Sequence, residues 1–137
     1  MKGLILFFVA LIPTVVLTVV YLPFTIVYHI LTLKLVTGLK RSGEYFYQMA
    51  LSIDQFANVS LQTPLNLLMH KDGHLFGDED DTVSYCIAMN SNIGTLTKFG
   101  KFWAWFLNFV DTDHLNKAII NKRKRDFEAL KRLNLEI

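Results

Sequence analysis

Residues Leu4 to Leu33 read LILFFVALIPTVVLTVVYLPFTIVYHILTL and carry no formal charge. A chain of 137 residues is enough for one domain and not comfortably for two, so a run this long dominates what it can become. About 20 apolar residues suffice to cross the hydrocarbon core of a bilayer as a helix. This run is longer and can span with tilt. Pro13 and Pro23 each remove a backbone donor and can kink such a helix. One kinked span accounts for the run best. A hairpin broken near Tyr21–Pro23 leaves each arm short for a crossing. A cleaved signal peptide fits less well, because the stretch exceeds a signal core and no small-x-small site follows it.

Charge is distributed in three blocks. Residues 1–41 hold Lys2, Lys34, Lys40 and Arg41 and no acid. Residues 42–113 hold nine acids against three lysines, and residues 114–137 hold seven basic groups against three acids. The overall charge of +2 conceals this pattern of basic ends around an acidic middle. More cations follow the apolar run than precede it, which places the C-terminal part in the cytoplasm by the positive-inside rule. The single cysteine, Cys86, excludes an intrachain disulfide and any zinc site built from several cysteines. These features define a membrane anchor with a basic juxtamembrane segment (residues 1–41) and a small helical domain (residues 42–137).

Periodicity predicts four helices in that domain. Phe46, Met49, Ala50, Ile53, Phe56, Ala57 and Leu61 recur at helical steps from about Glu44 to Gln62, and Pro64 should end that helix. LMHKDGHLFGDEDD reads as a loop with turns at Asp72-Gly73 and Gly77-Asp78. A second helix begins near Asp80 or Asp81, which are expected to cap it, and a third covers about Leu96 to Val110. The third carries Phe99, Phe102, Trp103, Trp105, Phe106 and Phe109, which suits either full burial or a membrane interface. The last helix starts near Asp111–Asp113, with Asp111 as an expected cap. Its apolar stripe is Leu115, Ala118, Ile119, Phe127, Leu130 and Leu133. Lys122, Arg123, Lys124 and Arg125 crowd its polar side, as a solvated face or a contact for anionic lipid. Lys40, Arg41, Trp103, Trp105 and Lys122–Arg125 are therefore the expected membrane-surface residues. Nothing favours nucleic acid, since no phosphate loop, aromatic RNA signature or zinc-finger spacing is present.

The candidate chemistry lies in three polar clusters. His70 and His74 are four apart, but Gly73 and the turn argue against a helix that would make them chelate a metal. The acids Asp78 to Asp81 are contiguous and lack the alternation of a calcium loop. Asp111 and Asp113-His114 form the third cluster. Asp54, His74, Asp81 and His114 are the candidates for a metal-assisted hydrolase site, should they converge. No metal or cofactor is called for by any complete motif. Asp54 and Asn58 share a helix face, either as part of a site or as ties to a neighbouring loop. Ser84 and Cys86 are nucleophiles in type, without a G-x-S-x-G elbow.

Three segments, SIDQFAN (Ser52–Asn58), GDEDDTVS (Gly77–Ser84) and FVDTDHLNKAI (Phe109–Ile119), fall in an order that resembles a group of small uncharacterised tailed-phage and prophage proteins. In that group an S-I-D-Q segment precedes G-x-x-D-E-T-[IL]-S, and D-x-D-H follows. Here Asp81 stands where the group has glutamate, and Leu115 where cysteine is common. The usual basic residue after the serine is missing from Tyr85-Cys86-Ile87. These departures weaken an enzymatic reading. The resemblance implies phage origin and a shared compact helical module, and no reaction; with the N-terminal span, the expected location is the inner membrane of a bacterial host.

The expectation is thus an all-α protein, an N-terminal transmembrane helix followed by about four helices. Its partners would be the lipid bilayer and a host or phage protein, or further copies of itself. The leading function is non-enzymatic, such as superinfection exclusion or host modulation. A membrane-tethered metal-assisted hydrolase and a virion or channel component are the alternatives.

Overall fold

The apolar pattern becomes helix over most of the described residues. A computed structural model describes residues 2–32 and 35–133, and its elements are α1 (Lys2–Thr32), α2 (Leu35–Ser60), α3 (Gln62–Leu68), α4 (Val83–Asn92), α5 (Lys98–Val110) and α6 (His114–Arg132). The protein is all-α, and among the described residues the only β pairing is an isolated bridge between His70 and Leu96. Lys34, one of the flanking cations, lies outside the described residues. The chain forms two compact units, Met1–Met49 and Ala50–Ile137. The sequence boundary at residues 41–42 falls inside α2.

In the first unit, α1 passes through Tyr21–Pro23 without a break, so the hairpin arrangement is not adopted. Leu6–Thr32 is long and apolar enough to cross a membrane, with mean hydropathy 2.3. Three of its threonine hydroxyls are satisfied within the helix. Thr14, Thr25 and Thr32 donate to the carbonyls of Ala10, Tyr21 and Tyr28 at 2.7, 3.0 and 2.6 Å. A helix without water must close its polar groups in this way. Ser42 lies 3.4 Å from His29 Nδ1, and Gly38 admits the His29 carbonyl where a Cβ would collide with it.

The second unit is built around α4. Ser84, Cys86, Ile87, Ala88 and Asn90 are all buried, so this helix is covered on most of its circumference. It packs against α5 and α6, which also pack on each other. Met69, Phe76, Leu96, Ala104, Leu115 and Ile119 complete the core. Among the described residues, the apolar stripe expected of the helix near 44–62 adds nothing to this core.

The reason is visible in α2. Its expected apolar face is turned outward, with Ile53 63% and Phe56 49% exposed, while Asn58 is fully buried. Hydrogen bonds to the loop backbone hold the polar face inward. α2 ends at Ser60, before Pro64, which instead occupies the first turn of α3. The missing N–H is harmless there, because first-turn donors have no intrahelical partner. In α6, Leu115 and Ile119 are buried as expected, whereas Phe127 and Leu133 at its far end are exposed.

Candidate functional site

Thr82 begins the site, because it decides where α4 starts. Its backbone is extended and its hydroxyl accepts the Tyr85 N–H at 3.0 Å. The four acids before it invite a cap assignment to Asp80 or Asp81, but neither of them caps α4. Asp78 Oδ1 accepts the Asp80 N–H at 2.9 Å and closes a turn, which leaves Thr82 as the residue at the helix mouth. Asp54, reaching from α2, accepts the Val83 N–H at 3.1 Å. Asn58 and Gln55 donate to the carbonyls of Asp78 and Asp80 at 2.8 and 3.2 Å. Asp54 and Asn58 therefore hold the loop against α4.

Asp81 is free of capping duty and turns inward. Its side chain is 7% exposed, with Oδ2 2.9 Å from His74 Nε2 and Oδ1 3.4 Å from Lys122 Nζ. Lys122 also meets Asp126 at 2.8 Å. Burial alone would lower the Lys122 pKa, but its bond to Asp126 and the two carboxylate charges raise it above the ordinary lysine value. Lys122 is thus an internal partner rather than a membrane-surface residue, which corrects the sequence expectation. Arg125 donates to the Asp80 carbonyl at 3.1 Å, so it too is engaged with the loop. Lys40, Arg41, Arg123 and Lys124 are exposed.

Cys86 completes a set of donor atoms with His74 and Asp81, all within 4.8 Å of one another. Burial, then the charges of Asp81, Asp54 and Asp78, pushes the thiol up to about 12. It remains a thiol, its one S–H shared between Asn58 Oδ1 and the Leu75 carbonyl at 3.6 and 3.7 Å. A divalent ion here would have to displace that proton and compete with the Lys122 ammonium for Asp81. The donor types suit zinc, but the charges around them are already balanced by protein groups.

His114 belongs to a second cluster. Asp113 takes a left-handed conformation (φ 63°) and makes no side-chain cap, so α6 opens with His114 held over α4. His114 Nε2 lies 3.1 Å from Ser84 Oγ, and Nδ1 lies 3.1 Å from Asp111 Oδ2. Asp111 was expected to cap α6; its carboxylate instead takes Lys117 at 2.6 Å and His114. Those hydrogen bonds, from Lys117 first, hold it below the usual carboxylate range. With Nδ1–H donated to Asp111, the other ring nitrogen can accept the Ser84 proton. The base partner that Ser84 lacked in the sequence lies thirty residues away in the chain. The four candidates therefore gather near α4 in separate contacts, Asp54 on Val83, His74 on Asp81 and His114 beside Ser84.

Three buried or half-buried asparagines, Asn58, Asn66 and Asn90, stitch the loop to the helices. Asn66 Oδ1 accepts the Phe76 N–H at 2.8 Å and lies 3.0 Å from His70 Nε2. His70 Nδ1 accepts the Gly73 N–H at 3.1 Å, which requires a neutral ring with its proton on Nε2. Burial, then the neighbouring His74, lowers the His70 pKa from 6.5. The unfolded chain then binds more protons below that value, so this contribution is intact at neutral pH and is lost as pH falls through the folded pKa. Urea unfolding of the wild type should weaken from neutral pH to about pH 5, and His70→Gln should reduce that loss. An unchanged pH dependence in the variant would exclude His70 as a source.

Trp103 was expected at a wet membrane surface. It packs against the core with Nε1 buried, and among the described residues that nitrogen has no acceptor. Trp105 is 59% exposed, as a surface role requires. No protein-family model, curated protein or solved structure matches this chain.

Proposed function

We propose that this chain is a membrane-anchored phage protein whose helical unit binds a host or phage protein at the cytoplasmic face of the bacterial inner membrane. Superinfection exclusion or modulation of a host membrane complex is the role this reading favours. The observation that supports it is α1. The stretch Leu6–Thr32 is uncharged, and its most apolar window has none of its residues buried within the protein. An apolar helix without a protein cover is a poor solute in water and a good one in hydrocarbon. The unit beyond it has its own core and a neutralised interior, which suits a rigid body presented to a partner.

Alkaline carbonate washing of host membranes should leave the full chain in the pellet. Crosslinking in intact membranes should then capture a discrete protein partner. Release by carbonate would refute the anchor, and capture of copies of the chain alone would favour an oligomer or channel. A second reading, a membrane-tethered hydrolase, draws on one observation, the Asp111–His114–Ser84 chain of hydrogen bonds. In the same membranes, fluorophosphonate labelling of Ser84 that disappears in His114→Ala would support it. Absence of labelling would leave the contact as a tie between α4 and α6.

A further inference from the structure

We infer that α5 lies along the bilayer surface with its outer aromatic face inserted at the boundary between head groups and acyl chains. This deepens the anchored reading above and rests on it.

The inner face of α5 is fixed. Gly100 and Ala104 are buried, Trp103 and Leu107 pack on the core, and a Cβ at Gly100 would run into the Met69 carbonyl. The helix cannot roll to hide its other side. That side presents Phe99, Phe102, Trp105, Phe106, Phe109 and Val110, each 38–73% exposed. Phe102 stacks on Phe106, and Trp105 on Phe109, so the rings form one surface rather than scattered contacts.

Length and charge select the occupant. Thirteen residues make a helix of about 20 Å, too short to cross a hydrocarbon core of about 30 Å. The helix has no acid. Its only charges, Lys98 and Lys101, are exposed and suit anionic head groups. Asn108 is already used, its Oδ1 accepting the Leu115 N–H at 3.1 Å. The face therefore offers rings and cations but few hydrogen-bonding groups, which fits lipid better than the mixed surface of a protein partner. The apolar surface continues at the start of the helix. Thr97 donates to the Leu68 carbonyl at 2.6 Å, and Leu67 and Leu68 are themselves exposed. With α1 anchored in the same bilayer, docking of α5 needs no further encounter.

The test uses the full chain carrying Trp103→Phe, which leaves Trp105 as the sole tryptophan. Among the described residues the Trp103 ring nitrogen has no hydrogen-bond partner, so a phenyl ring there gives up no hydrogen bond. The protein is reconstituted in phosphatidylcholine–phosphatidylglycerol vesicles with acyl chains brominated near the head group or near the midplane. Trp105 emission should be quenched severalfold by the shallow bromines, less by the deep ones, and protected from aqueous iodide. Quenching by iodide and not by bromolipid, in protein that resists carbonate, would overturn the inference and leave the anchor standing. Protection from both quenchers would also overturn it and indicate a covering protein or second copy. Release by carbonate would refute the anchor, while bromolipid quenching of the bound chain before the wash would still report on α5.

Discussion

Asn90→Ala should lower the unfolding free energy by about 3–5 kcal/mol, because it strands two part-buried backbone groups at about 1–3 kcal/mol each and opens a cavity. The Asn90 side chain is fully buried and uses all of its capacity. Oδ1 accepts the His74 N–H at 2.8 Å and the Thr95 hydroxyl at 2.7 Å. Nδ2 donates to the carbonyls of His74 and Cys86 at 2.8 and 2.9 Å. Alanine removes the partners that both backbone groups of His74 have among the described residues. Gly73 is part of the same fit, since a Cβ there would collide with Asn90 Oδ1. Denaturant unfolding of the detergent-solubilised chain measures the effect. A loss under about 1 kcal/mol would mean that the loop finds other partners.

Asp81→Ala should cost about 3 kcal/mol, at the low end for breaking a buried ion pair. The low end applies because Lys122 keeps Asp126, which is half-exposed, while His74 loses its acid. The interaction can be isolated from the lost volume by a double-mutant cycle with Lys122→Met. A coupling above about 1 kcal/mol is expected for groups that share a network. Strict additivity would show that the carboxylate and the ammonium act independently, and the account of the buried cluster would fail. The same pair explains why Lys122 differs from its exposed neighbours Arg123 and Lys124.

These two positions also mark how far the sequence could be read. The uncharged run made α1 legible, since charge and length suffice to recognise a helix fit for a bilayer. The all-α class and the positions of α4, α5 and α6 followed from periodicity and turn residues. The burial of α2 did not follow. Its apolar residues outnumber its polar ones, yet Asp54 and Asn58 face inward, because loop carbonyls and amides need partners more than Ile53 needs cover. Asn66 and Asn90 had no periodic signature at all, since an asparagine in a helix looks the same whether it binds water or a distant loop. The acids Asp78 to Asp81 advertised a cap, while the threonine beside them made it. Ser84 and His114 were each visible, but their pairing depends on how α6 crosses α4.

Cys86 gives the molecule a built-in clock. It is the single cysteine of the chain, has no exposed surface, and burial pushes its thiol up to about 12. A thiol reagent reacts with thiolate that it can reach, so the native state should be inert to it. Each modification event then records one opening of α4 away from Asn58 and the loop at Leu75. The rate of that single reaction follows the interior of the second unit without any added probe, even while the chain remains in its membrane.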